Sequence, residues 1–365
     1  GFSEALPVET NAGNGVSYAV ADFDGDHHLD VAIASFTEDY LRWFKNNGES
    51  SRPTFAEQPA IPWPEQSFLY LPWQVEAGDW DGDLDNDLVV TAGGPGLIYW
   101  FENDGDGFFP NSYFINFDEE DDEEVIEDMM LVDVDGDNDL DALVAPFVDW
   151  YDVRWFENVY GQFENYTAHR ISTTFQPAPS SIDAADLNGD QHLDVIYAMD
   201  GSAASSFQQN VWFESDGAAK PRFARNDLTY RSQSNKLADL DGDSAVDIIP
   251  EFLETVGWYK NDGNGNFATK RTIEDLPDSN YWSPSTPADL DSDHSPDLFG
   301  VINNALLWYR NNGDADSFHL SYIDSPGGFR SGPLSEPRTA DLDGDNDLDI
   351  VVFKDDLLVW YENNL

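Results

Sequence analysis

Short apolar runs punctuate the chain at nearly even intervals. "DVAIAS" from Asp30, "DLVVTA" from Asp87 and "DIVVF" from Asp349 are each entered from an acidic loop. Their length and β-branched content fit a buried strand better than a helix. A second run follows each acidic loop by about twenty residues and carries a Trp next to another aromatic. The copies read "WFKNNG" from Trp43, "WFENDG" from Trp100, "WFENVY" from Trp155, "WFESDG" from Trp212, "WYKNDG" from Trp258, "WYRNNG" from Trp308 and "WYENNL" from Trp360. Neighbouring residues on a strand face opposite sides of its sheet, so such a doublet demands burial on both faces.

The acidic loops repeat with the same period. They read "DFDGDHHLD", "DWDGDLDND", "DVDGDNDLD", "DLNGDQHLD", "DLDGDSAVD", "DLDSDHSPD" and "DLDGDNDLD", with starts 57, 54, 53, 53, 50 and 52 residues apart. Each unit accommodates four short strands: one before the acidic loop, one after it, the Trp strand, and one beyond an Asn-Gly or Asp-Gly turn. Seven four-stranded sheets, each sandwiched between two others, predict an all-β, seven-bladed β-propeller of antiparallel blades. The seventh unit has no fourth strand after "WYENNL", whereas "GFSEALPVET" at Gly1 resembles the start of fourth strands such as "GQFENYTAHRI" from Gly161. The first residues are therefore expected to complete the last blade, making residues 1–365 a single closed domain.

Places one, three, five and nine of each loop are the candidate metal ligands. They are Asp22, Asp24, Asp26 and Asp30; Asp79, Asp81, Asp83 and Asp87; Asp133, Asp135, Asp137 and Asp141; Asp186, Asn188, Asp190 and Asp194; Asp239, Asp241, Asp243 and Asp247; Asp289, Asp291, Asp293 and Asp297; and Asp341, Asp343, Asp345 and Asp349. Alternate carboxylates on a curled loop suit a hard cation such as Ca²⁺, which takes about 6–8 oxygen ligands. A hairpin turn needs only one or two such residues. The spacing is not that of an EF-hand, whose Gly and bidentate Glu stand elsewhere, and zinc would require His or Cys. His27, His28, His192 and His294 occupy variable places and are read as exposed bystanders.

The loop D-x-D-G-D-x-x-x-D coupled to W-[FY]-x-N-[DN]-G resembles the FG-GAP/VCBS-type repeats of bacterial secreted propellers and, more distantly, the integrin α-subunit head. The resemblance spans essentially the whole chain. It implies a propeller loaded with up to seven structural Ca²⁺ ions, with metal loops on one face and ligand recognition on the other. Asn188, Ser292 in place of the loop glycine, and Pro296 depart from the pattern. The sixth site is accordingly the weakest expectation.

Charge narrows the partners. Seventy-two Asp and Glu against seventeen Lys and Arg give a formal net charge of −55, which repels nucleic acid and anionic membrane surfaces. No apolar run reaches the roughly 18 residues of a membrane span. There are no cysteines, hence no disulfides or thiolate chemistry. The acidity points to a saline or marine setting and, with millimolar calcium, to an extracellular, secreted or periplasmic location. No leader pattern is present at Gly1, so a leader is expected to be absent or removed. A monomer is expected.

Connections between repeats, 57–73, 116–128, 145–155, 199–210, 275–287 and 325–338, differ from blade to blade, as recognition loops do on a constant scaffold. Their candidates for contact with a glycan or cell-surface ligand, expected on exposed loops, are Trp63, Tyr70, Trp73, Trp150, Tyr151, Tyr281, Trp282, Arg231, Arg330 and Arg338. Aromatic faces beside charged groups suit sugar rings. The acidic run 118–124 is read as a solvated flap. The leading expectation is a non-catalytic carbohydrate-binding or adhesion module. A polysaccharide lyase or other glycan-processing enzyme is the alternative, although outside the metal loops only His169 and His319 remain as histidine bases, both read as structural. A protein-interaction head is the third reading.

Overall fold

A computed structural model describes residues 1–9, 15–35, 40–49, 52–64, 72–92, 97–116, 126–146, 153–159, 168–171, 179–199, 210–251, 255–267, 269–277, 282–324, 336–355 and 357–365. Among these residues there is no helix, and so none long and apolar enough to cross a membrane. The strands form seven antiparallel sheets in a ring. Blade one comprises Gly15–Ala21, Asp30–Ser35, Tyr40–Asn46 and Phe55–Glu57; blade two runs from Pro72–Gly78 to Asn111–Asn116. Blades three, four, five and six begin at Ile126–Val132, Pro179–Ala185, Asn235–Ala238 and Trp282–Pro284. From blade one to blade five, neighbouring first strands pack on one another.

Seven apolar clusters hold the ring, each between two adjacent sheets rather than within one. Trp43 faces blade two, packing with Val75, Leu88 and Tyr99, while its neighbour Phe44 faces blade seven with Val351 and Trp360. The alternation recurs in every unit. Trp100 and Phe101 separate towards blades three and one, and Trp360 and Tyr361 towards blades one and six. The aromatic doublet is thus the residue pattern of a wedge buried on both sides.

Blade seven contains Arg338–Ala340, Asp349–Lys354 and Leu357–Tyr361, and Leu6–Glu9 supplies its outer strand. Leu6 pairs with Trp360 and Pro7 with Val359. Ser3 N–H donates to the Glu362 carbonyl at 2.8 Å, and Phe2 meets Trp308 of blade six edge-on, with centroids 5.7 Å apart. Ring closure by the first residues is as expected from the missing strand.

Two expectations about exposed aromatics are corrected here. Ile61–Pro62 pairs with Tyr40–Asn46 as an extra strand of blade one. This places Trp63 in the seam between blades one and two, 4.6 Å from the Tyr99 ring and only 6% exposed. Trp282 opens the innermost strand of blade six and is fully buried against Tyr309. Both are core residues because short strands, Ile61–Pro62 just before Trp63 and Trp282–Pro284, draw them against the neighbouring sheets.

Removing residues 1–9 is expected to cost at least about 3 kcal/mol, since it strips a paired strand and uncovers the Trp360 seam. Thermal melting and size-exclusion chromatography of the truncated chain check this; an unchanged melting temperature would contradict the closure.

Candidate functional site

Each acidic loop is curled by its own first aspartate. The Oδ2 of Asp22, Asp79, Asp133, Asp186, Asp239, Asp289 and Asp341 accepts the N–H of the sixth loop residue at 2.7–3.1 Å. That residue is left-handed in all seven loops, with φ of 69–80°, although none is glycine. The fourth residue is also left-handed, which explains its glycine. Ser292 adopts the same geometry at φ 59°, at a cost of about 1–2 kcal/mol. The sixth loop therefore keeps the common shape despite Ser292 and Pro296.

The ninth aspartate is a structural staple. Its side chain is buried in every blade. Oδ2 accepts the N–H of the second loop residue at 3.0–3.2 Å. Oδ1 accepts the N–H of the residue ending the Trp strand at 2.7–2.9 Å. In six blades that residue is Asn, and its side chain crosses the seam. Nδ2 of Asn46, Asn103, Asn158, Asn261, Asn311 and Asn363 donates to the carbonyls of Leu342, Phe23, Trp80, Leu187, Leu240 and Leu290 in the preceding blade, at 2.6–2.8 Å. Blade four has Ser215 instead, and a cavity of about 290 Å³ lined by Val134, Ser215 and Gly217 lies at that seam. The sequence pattern showed this Asn only as part of a turn; its constancy in six units was the available signal.

The loops fit a hard cation. Carboxylate oxygens of Asp22, Asp24 and Asp30, of Asp133, Asp135 and Asp141, and of Asp289, Asp291 and Asp297 lie within 4.8 Å of one another, as do those of Asp79, Asp81 and Asp83 and of Asp239, Asp241 and Asp243. Oxygens bound at about 2.3–2.6 Å to one ion lie up to roughly 5 Å apart, so these separations suit a shared ion. Buried Oδ1 atoms of Asp24, Asp81, Asp135, Asp241 and Asp291 accept no hydrogen bond. A buried acceptor without a donor is costly, and a cation removes the cost. His28, half-buried, and His192, exposed as expected, are more than bystanders: their rings fill the space where Gly48 and Gly217 lack a side chain. His27 and His294 are exposed.

Burial pushes the ninth carboxyls up, outweighing the amide bonds that pull the other way. Asp194 rises to about 6, Asp141 to about 8, and Asp30, Asp87, Asp247, Asp297 and Asp349 to about 7.

A second polar centre lies at the axis. A cavity of about 310 Å³ is lined by Gln74, Glu76, Asp128, Asp183, Lys236, Glu336 and Arg338 among others. The innermost strands run towards the acidic loops, and most of these residues stand early on them or just before them. The cavity thus belongs to the opposite face, where the variable connections enter. Arg338 grips Glu76 through two bonds, at 3.0 and 2.7 Å, and Lys236 meets Glu336 at 2.6 Å. Gln74 Nε2 donates to Asp128 Oδ1 at 3.2 Å and to the Met129 carbonyl at 2.7 Å. Burial raises Asp128 to about 7, and raises Asp183 to about 6 against the pull of Lys236. The Arg338 guanidinium sits 5.5 Å from the Tyr18 ring centroid.

Of the ligand candidates among the described residues, Arg338 joins this centre. Trp63 and Trp282 are core, Trp73 is half-buried at the start of blade two, and Arg231 is exposed between blades four and five. Tyr70, Trp150, Tyr151, Tyr281 and Arg330, and the run 118–124, lie outside the described residues. His169 stacks on Trp155 and meets Glu157 at 2.8 Å; His319 is exposed on an outer strand. Glu76, Asp128, Lys236 and Glu336 were not anticipated.

A family model described as FG-GAP-like repeat matches residues 22–90, 133–197 and 289–352, more than half of the chain. The chain belongs to the FG-GAP-like repeat family. The matched stretches each start at the first aspartate of a loop and end in the second strand of the following unit. No curated protein sequence matches the chain. Among solved structures, an Agrocybe aegerita lectin that specifically recognises non-reducing terminal N-acetylglucosamine aligns with a TM-score of 0.59 and 17% identity, over 87% of this chain and 81% of its own. BBS1N in complex with ARL6DN, soaked with lead or mercury, aligns at 0.62 and 0.61 with 12% identity, over 100% of this chain and 96% of its own. These likenesses establish the propeller for this FG-GAP-like repeat chain.

Two outcomes follow from the staples. Asn103→Ala removes the donor from the Phe23 and Asn86 carbonyls and is expected to cost at least about 2 kcal/mol, whereas Ser215→Asn should gain about 1 kcal/mol by completing the belt; urea unfolding measures both. The pH dependence comes from the ninth carboxyls. Their native pKa values lie above the unfolded one, so the stability they contribute is fully present below about pH 4 and is lost as pH rises through about 7. Metal-free protein should melt at a higher temperature at pH 5 than at pH 8, read by calorimetry.

Proposed function

We propose that the protein is a calcium-stabilised recognition propeller, acting outside the cell, that binds a glycan at the channel mouth opposite the acidic loops. The observation that supports it most is the axial cavity, where Arg338, Lys236 and Glu76, on innermost strands, and Glu336, just before one, are locked in ion pairs. Fixed carboxylates and a guanidinium hydrogen-bond sugar hydroxyls without first having to be ordered. The lectin's use of a similar propeller for a sugar terminus is consistent with this. The strong negative charge favours neutral or amino sugars over polyanions.

Tyr18 favours binding over proton abstraction. Its hydroxyl is buried, 2.8 Å from both the Glu336 and Val351 carbonyls, and burial raises its pKa, so it is held as a neutral donor. A protein ligand is the second reading, favoured by the full-length likeness to BBS1N, which was solved with a protein partner.

Calcium is the preferred ion of the loops because the donors are all hard oxygens on flexible turns. Chelation at low ionic strength should lower the melting temperature, and saturating calcium should restore it; an ion at one hundred times its dissociation constant adds about 2.7 kcal/mol per site.

The ligand reading is tested with a glycan array on calcium-loaded protein, alongside the Lys236→Met variant. Expected is sugar binding that weakens at least about tenfold in the variant, with circular dichroism unchanged. No glycan bound, together with a captured protein partner, would replace the glycan reading by the second one.

A further inference from the structure

One residue of the Trp strand, between the aromatic doublet and the Asn or Ser, divides the blades. It is Lys45, Lys260 or Arg310 in blades one, five and six, and Glu102, Glu157, Glu214 or Glu362 in the other four. Each cation reaches into its own acidic loop. Lys45 pairs with Asp24 Oδ2 and, at 2.8 Å, with Asp26 Oδ2. Lys260 pairs with Asp241 Oδ2 and, at 2.6 Å, with Asp243 Oδ2. Arg310 Nε pairs with Asp291 Oδ2. The same oxygen of the third loop aspartate is taken in all three, and these aspartates are 11, 11 and 2% exposed.

The glutamates do the opposite. Glu102, Glu157, Glu214 and Glu362 put a carboxylate at the place from which the cations of blades one, five and six enter their loops. Glu157 also meets Lys220 at 3.2 Å, which offsets part of its charge. The seventh loop residue sorts the same way. It is Asp85, Asp139 and Asp347 in loops two, three and seven, but His28, Ala245 and Ser295 in the loops with a built-in cation. Loops two, three and seven thus gather six carboxylates each, and loop four, with Asn188 at its third place, gathers four and no fixed positive charge, against four and one fixed positive charge in loops one, five and six.

We propose that the seven loops form two classes of metal site: loops two, three, four and seven bind a divalent cation tightly, while loops one, five and six are neutralised from within and bind one weakly. Oxygen-ligand sites are tuned over orders of magnitude by the number of charges they present. A lysine or arginine tethered on a rigid strand supplies part of the ion's charge at no entropic cost of capture. The three loops it serves keep their curl when the ion is scarce, so part of the ring is independent of metal supply. The inference rests on the loops being metal sites, and goes beyond it in saying which ones.

The test is a calcium titration of metal-free protein by calorimetry, with ions counted by native mass spectrometry. Four ions should bind in a tight class, the other three at least about tenfold more weakly. Lys45→Glu should raise the tight class to five, and Glu102→Lys should lower it to three. Seven equivalent ions, or an unchanged tight class in the folded Lys45→Glu variant, would overturn the two classes while leaving the loops as metal sites. A folded wild type that binds no ion would overturn the metal reading itself. The wild-type count needs no variant to fold, and anomalous scattering at limiting calcium locates the occupied loops directly.

Discussion

The whole ring depends on burying one carboxylate per repeat. The ninth aspartate of each loop, Asp30 in the first and Asp349 in the last, is buried, yet it accepts amides from two separate segments. One bond fixes the acidic loop, and the other fixes the end of the Trp strand. The residue at that end is in six cases an Asn whose side chain reaches the preceding blade. Loop curvature, blade geometry and seam are therefore linked through one pair of oxygens. Charge taken out of water must be compensated by hydrogen bonds, a proton or a counter-ion, so the fold answers to acidity through this group.

Much of this was legible in the chain. The doublets Trp43–Phe44 to Trp360–Tyr361 state in two adjacent letters that each sheet is covered on both faces, and the short seventh unit locates the seam closed by Leu6–Glu9. The role of Asn103 was not legible, because its partner Phe23 is 80 residues away and only a closed ring brings them together. Trp282 was misjudged as a loop residue. It stands seven places before Asp289, as Pro72 stands before Asp79 and Pro179 before Asp186, so register with the acidic loop would have placed it on an innermost strand. Glu76, Asp128, Lys236 and Glu336 look like ordinary polar positions in four separate repeats; they become a site only where seven first strands share an axis.

The two ends of that axis carry different chemistry. On one, carboxylates are repeated, shallow and organised by the backbone. On the other, ion pairs from different blades meet once, so the sevenfold pattern gives way to an individual arrangement. A scaffold of near-identical wedges can vary the second end without disturbing the first, because the staples and seams lie between them. The separation of the repeated end from the individual one is thereby built into the direction in which the innermost strands run.

The pairing of Leu6–Glu9 with Leu357–Tyr361 also governs how the molecule reaches its native state. These partners are separated by almost the full length of the chain, the costliest kind of contact to close. Until they meet, an arc of assembled wedges exposes two raw flanks of indole and aliphatic surface, each a template for the complementary flank of another arc. Refolding should accordingly be a contest between intramolecular latching and chain-to-chain stacking, won by dilution and by the mutual repulsion of so many anionic side chains.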